Sequence, residues 1–503
     1  MFSSVNTVAF KGIDVIGIDV QVQISNGMST FNIVGLADKA VAESKERIRA
    51  AFNSIGLNFP YGRLTVNLAP ADIQKEGTLY DLPIVLGILT TMGIINQNLL
   101  TKYIVIGELS LNGSITKVDG ALPAAIFATT ENFGLICPKD SGGEAAWASD
   151  IEILAPKNLT ELIDHFNGTI KLERPIAKIE SSNDSSTKKI CFSDIKGQYS
   201  AKRAMQIAAV GGHHMLMVGP PGSGKSMLAS RLTTILPELS PEESLELTMI
   251  YSIAGEIRDG LIKSRPFRDP HYTASLASIV GGGLKSKPGE ISLAHKGVLF
   301  LDELPEFSRQ TLESLRQPLE TGYVIISRAN SHIKYPAKPQ IIAAMNPCKC
   351  GYHGDPTREC KRAAVCKQEY FSKLSGPLIE RIDMQIDVPR VEYHDLITNK
   401  KSETSKEILA SIIAARNFSR ERLKNLGCND IILNSELTNT QIKEFCNLTK
   451  DAEDFLNDYA NKRTISARTY FKLMKIARSI ADYDLNECIT DFHVKEAIGY
   501  KIF

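Results

Sequence analysis

The stretch MLMVGPPGSGKS, Met215 to Ser226, decides the fold. Four apolar residues form a short strand, Met215 to Val218. The turn that follows matches G-x-x-x-x-G-K-[ST] and leads into a helical pattern, the strand-loop-helix order of a P-loop core. The residue types follow from the chemistry. Gly219, Pro220, Pro221, Gly222, Ser223 and Gly224 form the phosphate-binding loop, whose glycines let backbone N–H groups close around phosphates; Lys225 neutralises β/γ oxygens, and the Ser226 hydroxyl ligates Mg²⁺. ATP and Mg²⁺ are therefore the expected cofactors.

Downstream, GVLFLDEL, Gly297 to Leu304, is a buried strand ending in two adjacent carboxylates. In isolation such a pair is usually a solvated strand end. Behind a P-loop it assigns Asp302 to the magnesium and Glu303 to polarising the attacking water. A third strand, Gln340 to Ala344, delivers Asn346, an amide able to orient that water, although Asn before Pro347 also reads as a turn residue. Arg381, in LSGPLIERID, and Arg468, in TISARTYFKLMKIARSIAD, are guanidiniums that could stabilise transition-state charge, one of them from a neighbouring subunit. The bland reading of either is a surface ion pair.

Around this engine, 503 residues are too many for one ordinary core and suggest about three domains. Apolar content of 43% and charge of 23% are those of a globular protein, and a net charge of +1 confines any nucleic-acid site to a local basic patch. The N-terminus lacks the pattern of a signal peptide, and the apolar run Leu82 to Ile95 is too short to span a bilayer. The expectation is a cytoplasmic protein without membrane contact, with Leu82 to Ile95 as a buried helix. Nine cysteines, several scattered singly, suit reduced thiols; only Cys348, Cys350, Cys360 and Cys366 cluster enough to suggest metal.

Composition divides the chain into residues 1–172, a polar Ser-rich linker 173–190, the ATPase core 191–392 and a helical lid 393–503. At the start, the alternating run Val15 to Ile24, the turn signal Asn26-Gly27 and the run Thr30 to Val34 predict a hairpin, followed by an amphipathic helix from Asp38 to Ile55.

The blocks GPPGSGKS, RPFRDPHYTAS (Arg265 to Ser275), GGGLKSKPGEISLAHKGVLFLDELPEF (Gly281 to Phe307), RQPLETGYVIISRA (Arg316 to Ala329), AAMNPCKCGYHGD (Ala343 to Asp355) and LSGPLIERID (Leu374 to Asp383) resemble the magnesium-chelatase-like AAA+ proteins. More narrowly, the chain is similar to the ComM/YifB branch over nearly its whole length. The resemblance implies an α/β P-loop core with a helical lid, Asn346 as sensor 1, Arg381 as a finger acting in trans and Arg468 as the sensor 2 arginine. It further implies a homo-oligomeric ring, a hexamer, acting as a helicase that promotes branch migration during homologous recombination and natural transformation. Single-stranded or branched DNA and recombination proteins are the partners it implies.

Two departures stand out. Tyr272 replaces the second histidine of the family's RSPHHTAS block, and Cys360 and Cys366 form C-x5-C where the family has a close C-x-C pair. Four thiolates could still close a structural zinc site; buried reduced cysteines are the plain alternative.

Residues 2 to about 172 resemble the Lon-protease-type α+β domain, of the ribosomal S5 domain 2-like fold, also found in the RadA recombination ATPase. Aligning KEGTLYDLP and GELSLNGSITKVDGALPAA puts Leu79 and Leu122 where that family has its serine and lysine. Leucine cannot act as nucleophile or base. The expectation is a scaffold or DNA-contacting domain without peptidase activity.

For DNA, the segment Tyr323 to Pro336 reads as a hairpin carrying Arg328, His332 and Lys334. An ordinary surface hairpin with solvated cations would look the same. Repeated around a ring, it would make a basic collar for phosphates. The competing functions are a DNA motor, a chelatase-type ATPase acting on a protein partner, and an ATP-gated assembly switch.

Overall fold

The computed structural model describes residues 1–148, 150–177, 190–257, 260–283, 286–328, 331–351, 363–391, 402–428 and 433–501, with backbone alone at 328, 331, 363 and 364. Most of the Ser-rich linker lies outside the described residues.

The N-terminal sheet begins with β1 (Phe2–Lys11), β2 (Asp14–Ser25) and β3 (Thr30–Val34). Helix α1 (Lys39–Ser54) follows, started by the Asp38 carboxylate accepting the Val41 N–H at 2.8 Å. Next come β4 (Arg63–Ala69), the largely apolar and almost fully buried helix α2 (Asp81–Thr91), β5 (Tyr103–Val105), α3 (Ala121–Thr130), β6 (Gly134–Ile136) and β7 (Ile153–Leu154). The seven strands lie in the order β3-β4-β2-β1-β5-β6-β7. Ile18, Val20 and Val22 of β2 are buried while Asp19, Gln21 and Gln23 are not, the period of a half-buried strand.

The hairpin expected between Val15 and Val34 does not form. β4 inserts between β2 and β3, pairing antiparallel with one and parallel with the other, and the true hairpin is β1–β2. Asn26-Gly27 marks a chain reversal, but β3 reaches its neighbour only after α1 has crossed over. The helix expected between Asp38 and Ile55 is present, and the run from Leu82 is a buried helix ending at Thr91.

The second sheet is parallel. After α4 (Tyr199–Gly211), β8 (Met215–Val218) runs into the P-loop and α5 (Lys225–Leu232). Helix α6 (Pro241–Ala254), β9 (Phe267–Arg268), β10 (Val298–Leu301), α7 (Arg316–Thr321), the ribbon of β11 (Tyr323–Arg328) and β12 (Ser331–Pro336), β13 (Gln340–Met345), α8 (Ala363–Phe371) and β14 (Met384–Asp387) complete the core. The order is β9-β10-β13-β8-β14. Both faces are covered: Met215 and Met217 of β8 pack toward α4 and the C-terminal helices, Leu216 and Val218 toward the other layer. The C-terminal helices are α9 (Ser405–Asn425), α10 (Lys450–Arg463), α11 (Ala467–Tyr483) and α12 (Asp491–Gly499).

The N-terminal unit and the ATPase core touch. Lys287 Nζ lies 2.9 Å from an Asp119 carboxylate oxygen, and Glu144 accepts both the Leu122 N–H and the Ser252 hydroxyl of α6. The β1–β2 turn presses on the β12 strand so closely that a Cβ at Gly12, whose φ is +71°, would stand 2.4 Å from the Lys334 carbonyl oxygen.

Candidate functional site

A parallel sheet has two chemically different edges, and the ATPase residues sort onto them. At the C-terminal edge, β8 leads to Gly219, β10 to Asp302 and β13 to Asn346. Gly219 must lack a side chain, because a Cβ there would come within 2.1 Å of the Val388 carbonyl oxygen. Gly224, at φ +91°, supplies the left-handed turn that starts α5.

Lys225 is 8% exposed and donates to the Gly219 and Pro220 carbonyls at 2.8 and 3.0 Å. Burial lowers its pKa, while Asp302 and Glu303 work to keep it charged. Its Nζ also reaches Asn346 Oδ1 at 3.4 Å, so P-loop and third strand meet. The Ser226 hydroxyl donates to Asp302 Oδ2 at 2.8 Å, which brings together the two oxygens a magnesium ion would engage beside the phosphates. Glu303 is exposed and takes φ +52°, an unfavourable conformation for a residue with a side chain. The Asp302 Oδ1 accepts the Glu303 N–H at 2.9 Å.

Asp269, which the sequence reading did not single out, follows β9 on the same edge. Desolvation and the Asp302 carboxylate raise its pKa. Its signal in the sequence, an acid just after a two-residue strand, is too short to read by periodicity.

Arg381 and Arg468 are elsewhere. Arg381 precedes β14 and Arg468 opens α11, and both line a cavity of about 1100 Å³ with His214, Gly297 and Gln340, which stand at the N-terminal ends of β8, β10 and β13. Arg468 Nη1 lies 3.9 Å from Glu380 Oε2 and its side chain is 42% exposed. Within one chain, therefore, neither arginine faces the P-loop, whereas the sequence reading had only one of them coming from a neighbour.

The profile for magnesium chelatase, subunit ChlI, matches residues 191–396; the profile for subunit ChlI of Mg-chelatase matches 20–141, and that for the ChlI C-terminal region matches 402–501. Competence protein ComM of Haemophilus influenzae is 39% identical over 98% of this chain and 96% of its own length. The chain belongs to the ComM/YifB family of magnesium-chelatase-like AAA+ ATPases. YifB of Escherichia coli is 38% identical over 99% of this chain and 97% of its own. The magnesium-chelatase 67 kDa subunit of Chlorobaculum parvum matches only 31% of this chain and 23% of its own, at 30% identity.

Three further features of this ComM/YifB chain bear on its chemistry. The ribbon β11–β12 has the expected bounds, with Tyr323 opposite Pro336 and Arg328 opposite Ser331. His332 and Lys334 are exposed on it; Lys334 Nζ stands 3.8 Å from the centre of the Tyr323 ring, and His332 Nδ1 is 3.0 Å from the Ser327 hydroxyl. Cys348, Cys350 and Cys366 bring their sulfurs within 4.8 Å of one another, 3.2 Å for the first two; Cys360 lies outside the described residues. Tyr272 stacks beside His271, ring centres 4.2 Å apart, on the exposed segment after Asp269.

In the N-terminal unit, Leu79 and Leu122 are 8% and 0% exposed aliphatic side chains. Among the described residues no helix is long and apolar enough to cross a membrane.

Proposed function

We propose that this ATPase is a ring-shaped DNA motor, a hexameric helicase or translocase that drives branch migration in homologous recombination, including natural transformation. The observation that carries the reading is the division of Lys225, Asp302, Glu303 and Asn346 from Arg381 and Arg468 onto opposite edges of one sheet. Copies stacked edge to edge would each offer both arginines to the next copy's phosphates, so every active site is shared, and the proposed hexamer is the closed form of that head-to-tail contact. Asn346 and Glu303 position and polarise water; Arg381 and Arg468 stabilise charge on the transferring phosphoryl group across the interface.

The ribbon β11–β12 supplies the DNA contact through Arg328, His332 and Lys334, with single-stranded or branched DNA as ligand. The name of the Haemophilus influenzae relative, a competence protein, supports a role in DNA uptake and recombination. The N-terminal unit, residues 1–172, is a Lon-like scaffold without peptidase activity, joined to the motor through the 173–190 linker. Cys348, Cys350 and Cys366, with Cys360 as the fourth ligand, hold a structural zinc ion: around a tetrahedral ion with Zn–S near 2.3 Å, sulfurs sit about 3.8 Å apart, within the spread of the three described sulfurs.

The deciding experiment is the ATPase rate with and without single-stranded and branched DNA, beside a Glu303→Gln control. Stimulation by several-fold that vanishes in the control supports the motor. Hydrolysis indifferent to every DNA overturns it in favour of a switch acting on a protein partner.

A further inference from the structure

Arg381 is held by its own chain. Its Nη1 donates to the Pro377 carbonyl at 2.6 Å, its Nη2 pairs with a Glu320 carboxylate oxygen, and its Nε finds no partner among the described residues. The Arg381 side chain is 9% exposed, whereas that of Glu320 is 52% exposed at the rim of the cavity.

Glu320 stands on α7, and only Thr321 and Gly322 separate it from Tyr323, where the ribbon begins. That joint is braced on both sides. The Gly322 N–H donates to the Pro318 carbonyl at 2.8 Å, the Gly322 carbonyl accepts the Ala337 N–H at 2.8 Å, and the Thr321 hydroxyl bridges the Gln317 and Tyr323 carbonyls at 2.9 and 3.0 Å. The end of α7 and both feet of the ribbon thus form one piece, and Glu320 is its charged handle.

We propose that the Glu320–Arg381 pair is the coupling through which a neighbouring copy's nucleotide and the β11–β12 ribbon sense each other, a role that rests on reading Arg381 as the trans finger and the ribbon as the DNA contact. Arg381 has two competing acceptors, the Glu320 carboxylate of its own chain and the phosphates of the next copy. When phosphate takes the guanidinium, Glu320 loses its partner and α7 with the ribbon is released. Load on the ribbon that draws α7 away takes Glu320 from Arg381 and frees the finger. By linkage the two effects are one coupling energy seen from either end. Glu320 touches no reacting atom; it is a positioning residue.

The test is Glu320→Gln, which keeps shape and removes charge, with Glu320→Asp as the charge-retaining comparison. Glu320→Gln is expected to raise DNA-free hydrolysis several-fold toward the DNA-stimulated rate, bringing the stimulation ratio near one with KM for ATP unchanged. Glu320→Asp is expected to restore part of that ratio. A wild-type ratio in Glu320→Gln, or loss of its DNA-free hydrolysis, overturns the proposal. Arg381→Ala separates the causes: full hydrolysis in that variant removes the finger reading itself, whereas abolished hydrolysis beside a normal Glu320→Gln removes the coupling alone.

Discussion

Ser226 and Asp302 are bonded across the phosphate-binding edge, hydroxyl to carboxylate at 2.8 Å, though they belong to a helix and a strand 76 residues apart in the chain. A magnesium ion held by these two oxygens, as proposed, would be placed by how α5 and β10 pack, not by either motif alone. Asp302→Asn is expected to weaken magnesium-dependent ATP binding roughly tenfold, about 1.4 kcal/mol, and to leave metal-free binding nearly unchanged. Titration calorimetry with and without EDTA checks both halves.

If Glu303 polarises the attacking water as proposed, Glu303→Gln removes that base from an exposed side chain of nearly unchanged shape. ATP affinity should hold while turnover falls by about 10²–10⁴. Single-turnover hydrolysis beside equilibrium binding distinguishes this from a folding defect.

Sharing of the site has a stoichiometric signature. Arg381→Ala and Lys225→Ala should each be inactive alone. An equal mixture should regain roughly a quarter of wild-type specific activity, because random neighbours pair an intact P-loop with an intact finger that often. A mixture that stays inactive would mean that Arg381 serves its own chain.

The thiol cluster predicts bound metal. Purified protein should carry about one zinc per chain, released when thiols are alkylated under denaturing conditions, and Cys366→Ser should lower that content. Elemental analysis giving no zinc would leave the three cysteines as packed thiols.

Asp383 ties the core to the C-terminal helices: its carboxylate lies 3.0 Å from Lys472 Nζ and 3.7 Å from His213 Nδ1, and accepts the His214 N–H at 3.2 Å. Burial pushes its pKa up, but Lys472 and His213 pull it well below the usual carboxylate range. A depressed folded pKa means stability that is complete at neutral pH and lost progressively as pH falls from the ordinary carboxylate range through that lower value. Asp383→Asn should cost about 3 kcal/mol at pH 7 and flatten the acid limb of a pH-denaturation curve.

The phosphate-binding edge was legible because each of its parts is local: a strand and a turn spell out Gly219 to Ser226, and a strand end spells out Asp302 and Glu303. The ribbon was legible for the same reason, its two arms being adjacent in the chain. What was not legible depends on long-range order. The turn signal at Asn26-Gly27 could not reveal that β4 would slip between β2 and β3, and no spacing shows that Arg468 stands beside Glu380, close to Arg381 and far from Lys225. Glu320 escaped notice because an acid before a Gly turn has no chemistry until its partner is known.

The turn at Gly12 has a bearing on what counts as the machine. Since the β1–β2 loop rests directly on Lys334 and Ile333 of the ribbon, a push along the ribbon does not stop at its base but is carried into a seven-stranded sheet. The N-terminal unit is then a buttress under load, stiff because it is broad. A fragment that kept the P-loop core and the C-terminal helices but dropped residues 1–172 would keep every residue proposed for hydrolysis and lose the wall against which the ribbon rests.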